Sequence, residues 1–167
     1  GNVSVVGSFN GTIDFGGGVL TSTGLADIFV GKFSGSSGGT ILAKRFGTNG
    51  LDICSEISAD SNGDLVLAGT LVDPLDFGGG PLVSAGSTDI YLTKLAGSNG
   101  SHLFSKRYGN TSADVASGVA QDNNGNLFLA GSISNGVDFG SGLLLVPGVD
   151  SFIAKFSQTT LPTVFES

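Results

Sequence analysis

The chain repeats itself. Setting Gly1, Gly63 and Gly125 in register divides it into two whole units, 1–62 and 63–124, and a partial third, 125–167. Compared position by position, 23 of the first 62 residues recur in the second unit. Asp14-Phe15-Gly16 falls on Asp76-Phe77-Gly78 and on Asp138-Phe139-Gly140, and Gly24 on Gly86 and Gly148. Asp27-Ile28-Phe29 falls on Asp89-Ile90-Tyr91 and, after a one-residue deletion, on Asp150-Ser151-Phe152. Lys32 matches Lys94 and Lys155, and Lys44-Arg45-Phe46-Gly47 matches Lys106-Arg107-Tyr108-Gly109. A period of this length constrains the fold more than any local pattern. Each copy is one small supersecondary unit that buries its apolar surface against its neighbours.

Within a unit, short apolar runs alternate with turn residues, the mark of strands. A first strand is expected at Ser55 to Asp60 and Ser117 to Asp122. It ends in Asn62-Gly63 or Asn124-Gly125, which predicts a type I′ hairpin turn. A second strand is expected at Asn2 to Ser8, Asp64 to Thr70 and Asn126 to Ser132, and a third at Asp27 to Phe33, Asp89 to Leu95 and Asp150 to Phe156. The fourth falls at Thr40 to Phe46 and His102 to Tyr108, with Thr163 to Glu166 as a weaker copy. Helix competes only at Leu51 to Ser58. Its second copy places Gly118 inside the segment, at a cost to a helix of about 1 kcal/mol, so strand is preferred.

Four short antiparallel strands per unit is the make-up of a β-propeller blade. The expected fold is therefore an all-β propeller array of about three four-stranded blades. It begins at a second strand, so its first unit lacks the innermost one. Three blades do not close a ring, which typically has four to eight. Open sheet edges and blade faces would be an aggregation hazard. The ring is expected to be completed by other blades of a longer chain or, alternatively, by copies of this one. The first residue is Gly1 and no signal peptide is visible, so an excerpt or a processed form is expected.

The runs DFGGGPLVSAGSTDIYLTKL (Asp76 to Leu95), FSKRYG (Phe104 to Gly109) and VAQDNNGNLFLAG (Val119 to Gly131) resemble the SBBP-type β-propeller repeats of bacterial surface and secreted proteins, abundant in myxobacterial sequences. The resemblance extends over nearly the whole chain and departs beyond Phe156, where SQTTLPTVFES replaces the KRFG-type ending. It implies a propeller and an extracellular or cell-surface setting. It brings no catalytic residues to carry over.

Composition removes several partners. Net charge is −7, with seven scattered Lys and Arg. Nucleic-acid binding rests on neutralising phosphates with such residues, so nucleic acid and anionic membranes are excluded. No apolar run approaches the roughly 18 residues that span a bilayer, so no membrane insertion is expected. Glycine contributes 29 residues without a G-X-Y period, and apolar residues make up 40%, too many for a flexible linker.

The residues that could carry chemistry are few. Asp60, Asn62 and Asp64, with Asp122, Asn124 and Asn126, place oxygens at alternate positions as calcium requires. No Glu closes a 12-residue loop, and Asp and Asn bonding their own backbone explain the pattern. Asp-Phe-Gly recurs in every unit with no kinase catalytic loop beside it, so its Phe is expected to pack between blades and its Gly to permit a bend. Gly16 to Gly18 and Gly78 to Gly80 lack the Gly-Lys-Ser/Thr of a phosphate loop. His102 is expected to be an exposed strand-end residue, and Cys54, matched by Ala116, a small buried one.

The repeated Lys32, Lys94 and Lys155 and the repeated Asp27, Asp89 and Asp150 are expected to link blades, since a catalytic centre gathers different groups at one point. The segments 9–12, 71–74 and 133–136 differ between units and read as variable recognition loops. Asn2, Asn10, Asn99 and Asn110 stand in Asn-x-Ser/Thr sites, relevant only where the source glycosylates. No catalytic, cofactor-binding or metal residue is assigned. The expected function is a non-catalytic scaffold for protein interaction or assembly. The alternative is a lectin-like propeller with equivalent sites per blade, which the lack of Trp disfavours.

Overall fold

The structure, a computed structural model, describes residues 1–157. The first unit contains β1 (Val3–Phe9), β2 (Thr12–Asp14), β3 (Val19–Thr21), β4 (Asp27–Phe33) and β5 (Thr40–Phe46). The second contains β6 (Ile53–Ala59), β7 (Leu65–Leu71), β8 (Leu75–Asp76), β9 (Pro81–Leu82), β10 (Asp89–Leu95) and β11 (His102–Tyr108). The third contains β12 (Val115–Gln121), β13 (Leu127–Ser134), β14 (Val137–Asp138), β15 (Leu143–Leu144) and β16 (Val149–Phe156). Three antiparallel sheets result, ordered β1-β4-β5, β6-β7-β10-β11 and β12-β13-β16, with a two-stranded hairpin in each unit. The segment from Leu51 to Ser58 is a strand, as the glycine in its second copy foretold. The weaker fourth-strand copy at Thr163 to Glu166 lies outside the described residues.

Register confirms the alignment of the units. Gly7 pairs with Phe29, Gly69 with Tyr91 and Gly131 with Phe152, so the one-residue deletion before Asp150 falls in a loop and leaves the strands in phase. These pairs also explain the glycines. A Cβ on Gly69 would lie 2.4 Å from both the Tyr91 hydroxyl and the Ile53 carbonyl. The aromatic ring fills the space that the missing side chain leaves.

The middle sheet is buried on both faces. Leu65, Leu67, Leu71, Tyr91 and Leu95 pack against Ile28, Val30, Leu42 and Phe46 of the first unit. Val66, Ala68, Ile90, Leu92, Phe104 and Tyr108 pack against Ala116, Val119, Leu127, Leu129 and Ile133 of the third. Strands buried on both faces lose the polar alternation of a surface sheet, which is why β7 reads LVLAGTL and β10 DIYLTKL. Successive sheets are also tied by short parallel bridges, Ala26 to Leu51 and Thr88 to Ala113.

Two expectations are corrected. The small hairpins β2-β3, β8-β9 and β14-β15 were read as loop, because strands of two or three residues give no periodicity. The Asn-Gly turns are not type I′. The Gly63 amide donates to the Asp60 carbonyl (2.9 Å) and Gly63 alone in the turn has positive φ (81°), so Ser61-Asn62 form a type I turn closed by a left-handed glycine. The Asp60 side chain favours this form by accepting from the Asn62 and Asp64 amides, both at 2.8 Å.

Candidate functional site

Each repeated motif can be decoded from its contacts. Asp14, Asp76 and Asp138 stand at the tips of the small hairpins, where each Oδ1 accepts two amides. For Asp76 these are Gly78 (2.7 Å) and Gly80 (3.0 Å), both at positive φ. The third copy reads Gly140-Ser141-Gly142, so only the outer two positions of the tract need glycine. The two amides, with a weaker contribution from Lys106, hold the Asp138 carboxyl below the usual range.

Folding back, the hairpin wedges its Phe between sheets. Phe77 meets Phe46 of the first unit (5.1 Å between ring centroids) and Tyr91 of its own (5.0 Å). Phe139 likewise lies between Tyr108 (5.3 Å) and Phe152 (4.7 Å). This is the packing role the sequence suggested.

The repeated Lys and Asp do not pair with one another. Asp89 is fully buried and its Oδ2 accepts from the Ala85 amide (2.5 Å) and from Arg107 (2.8 Å) on the neighbouring strand. Asp27 does the same with the Thr23 amide (3.0 Å) and Arg45. A Cβ on Gly109 would sit 1.9 Å from Asp89 Oδ1, so the glycine of the KR[FY]G motif is room for this carboxylate. These ion pairs lie within a unit, correcting the expected link between units, because Arg on the adjacent strand reaches the Asp before any neighbouring unit can. Asp150 departs from the pattern and is exposed.

Lys32 does cross the seam, donating to the carbonyls of Gly63 (2.6 Å) and Gly97 (2.9 Å). Lys94 instead bonds Asp60 of its own unit at 2.8 Å. Partial burial pushes the Asp60 carboxyl up, but Lys94 and the turn amides outweigh it and hold the group below its usual range. Lys155 lies over the Phe128 ring at 5.4 Å.

At the end of the strands that carries the Asn-Gly turns, two equivalent polar clefts open between successive units. One, of about 370 Å³, is bounded by Asn2, Ser4, Lys32, Asp60 and Asn62. The other, of about 280 Å³, is bounded by Asp60, Asn62, Lys94, Asp122 and Asn124. Carboxylates, amides and an ammonium set around a shallow cleft can exchange hydrogen bonds with a polyhydroxylated molecule. The sequence held the residues of these clefts but not their juxtaposition, which arises only from stacking two units. A larger groove of about 560 Å³ lies beside Tyr108, Phe139 and Phe156 and belongs to the aromatic seam between the second and third sheets.

The varied loops 9–12, 71–74 and 133–136 sit at the opposite end. They are tethered: Asn10 Nδ2 donates to the carbonyls of Gly24 (3.1 Å) and Leu25, and Asn135 Nδ2 to Ser112 Oγ (2.9 Å). Among the described residues no three His, Cys, Asp or Glu side chains converge to hold a metal ion. His102 is half-buried, contrary to expectation, with its ring 3.0 Å from Ser105 Oγ and beneath the hairpin glycine Gly79. Cys54 is half-buried beside Tyr91, and burial pushes its thiol up to about 11, which keeps it protonated near neutral pH.

Comparison with known proteins agrees with this picture over part of the chain. Residues 103–140, from β11 to the hairpin of the third unit, match the family model described as the SBBP beta-propeller repeat. No curated protein matches the chain.

Proposed function

We propose that the protein is a non-catalytic β-propeller scaffold, displayed outside the cell or on its surface, whose stacked units present loop faces to protein partners and to further units of the same kind. The observation that carries this reading is the use of the repeated ionisable residues. Asp27, Asp89, Arg45, Arg107, Lys32 and Lys94 are all spent on holding sheets and turns together. Different groups converging on one reactive point, as catalysis requires, are not what the repeats supply. The match to the SBBP repeat supports the propeller, and the resemblance to surface and secreted proteins supports the location. An antibody against the chain is expected to label intact source cells or their culture medium. Labelling only after permeabilisation would overturn the location.

A second reading, a carbohydrate-binding propeller, rests on the two equivalent clefts between Asn-Gly turns. A glycan array followed by calorimetry separates the two. A sugar bound with about one site per cleft, lost in Asn62→Ala and Asn124→Ala, supports the lectin, and no sugar bound supports the scaffold. Turnover of a hydrolase substrate panel that disappears on changing a single Ser, Asp or His would overturn both.

A further inference from the structure

We infer that the free edge of β1 is a strand-docking site that accepts one antiparallel segment with the sequence pattern of β6 and β12. Among the described residues β1 pairs with β4 on one side and with no strand on the other. Its counterparts β7 and β13 each pair on both sides, with β6 and β12. The sister sheets therefore display the occupant and its register. Their first strands run small residue, Ser, any residue, β-branched residue: Cys54-Ser55-Glu56-Ile57 and Ala116-Ser117-Gly118-Val119.

In each sister sheet the Ser is the extra residue of a β-bulge, between Cys54 and Glu56 or between Ala116 and Gly118. The bulge turns the flanking small and β-branched residues onto one face, where Cys54 and Ile57, or Ala116 and Val119, meet the apolar core. Transposed by one unit, the docking strand places its bulge opposite Gly7 and Val6, the counterparts of Gly69 and Ala68. The bulge Ser also supplies a contact to the next sheet. Ser55 Oγ donates to the Ala116 carbonyl at 2.8 Å, and in the docked strand the equivalent hydroxyl falls to the Cys54 carbonyl. Main-chain hydrogen bonds give such an added strand its affinity, and the bulge and the two inward residues give it selectivity. Docking requires only the edge, so it is independent of whether the array closes into a ring.

The experiment adds a peptide of residues 51–60 to the full chain and follows amide exchange and binding stoichiometry. Alternate amides of Val3–Phe9 are expected to exchange at least tenfold faster than those of Leu65–Leu71 in the chain alone and to slow on one-to-one binding. A peptide lacking Ser55 loses the bulge, moves Ile57 to the wrong face, and is expected to bind at least tenfold more weakly. A tethered form, with residues 51–62 placed directly ahead of Gly1, removes the limit of weak affinity in trans. It is expected to raise Tm where a scrambled segment does not. The inference is overturned if the tethered and scrambled forms behave alike, if deletion of Ser55 changes nothing, or if the β1 amides are already as protected as those of β7.

Discussion

Asp89 and Gly69 illustrate how single residues set this fold. Asp89 is fully buried and sits between a loop amide and Arg107 of the adjacent strand. Asp89→Ala removes both hydrogen bonds to a charged group and is expected to lower stability by about 2–3 kcal/mol in denaturant titration. Arg107 is about a third exposed (32%) and keeps some solvation, which discounts the loss of the ion pair itself. Gly69→Ala places a methyl 2.4 Å from a backbone carbonyl that cannot move without shifting β6. A cost of about 2 kcal/mol is expected, with no change in net charge to confuse it.

Acid acts on the same scale. The folded carboxyls of Asp60, Asp122 and Asp138 lie below their ordinary value of 3.8, so their stabilisation is present above that value and fades as pH falls below it. Asp52 opposes them, since burial raises its carboxyl and acidification relieves a charge held out of water. Asp60→Asn is expected to lower Tm at about pH 7 and to match the parent at about pH 2, where both carry no charge at that position. A difference in Tm that persists at the acid end would show that the carboxylate's charge is not what Lys94 holds.

The aromatic hairpin is the device that works at the level of the element. Phe77 is nearly fully buried (2% exposed) because units stand on both sides of it, whereas Phe15, with contacts only to Phe29 and Phe33 of its own unit, is half-buried. Phe77→Ala is expected to cost about 3–4 kcal/mol, and Phe15→Ala less than about half of that, as measured by chemical denaturation. Equal costs would mean that the hairpin packs on its own sheet alone.

The main strands were legible in the sequence because the repeat tests each assignment in a second copy: Gly118 decided for strand where Leu51, Cys54 and Ile57 alone were ambiguous. The hairpins were not legible, since two paired residues such as Leu75 and Asp76 carry no period. Nor was the turn type. Asn-Gly favours the mirror-image turn, but Asp60 two residues before the Asn captures the amides that hold the ordinary one. The polar clefts and the Lys32 bridge stayed hidden for another reason. They join residues of different units, and the sequence does not contain the stacking geometry.

For the whole molecule, the two outer faces of the array are the informative surfaces. Val3 and Val5 on β1 are 55% and 39% exposed, while their counterparts Leu65 and Leu67 are fully buried against a neighbouring sheet. At the other end Ile153 is 79% exposed, and its counterpart Leu92 is fully buried. Each outer face is thus an interface of known construction that lacks its other half. Ile153→Lys is expected to leave Tm nearly unchanged and to reduce association, whereas the same change at Leu92 is expected to unfold the chain by burying an unpaired charge.

The account's central claim is that every sheet is stabilised by like sheets on both faces, and native mass spectrometry of this 16.6 kDa polypeptide across a range of concentrations tests it most directly. Association through the outer faces is predicted. Its simplest closed form is a discrete dimer, whose six sheets fall within the four to eight of propeller rings. A species that stays monomeric at every concentration, with Ile153→Lys behaving identically, would contradict it.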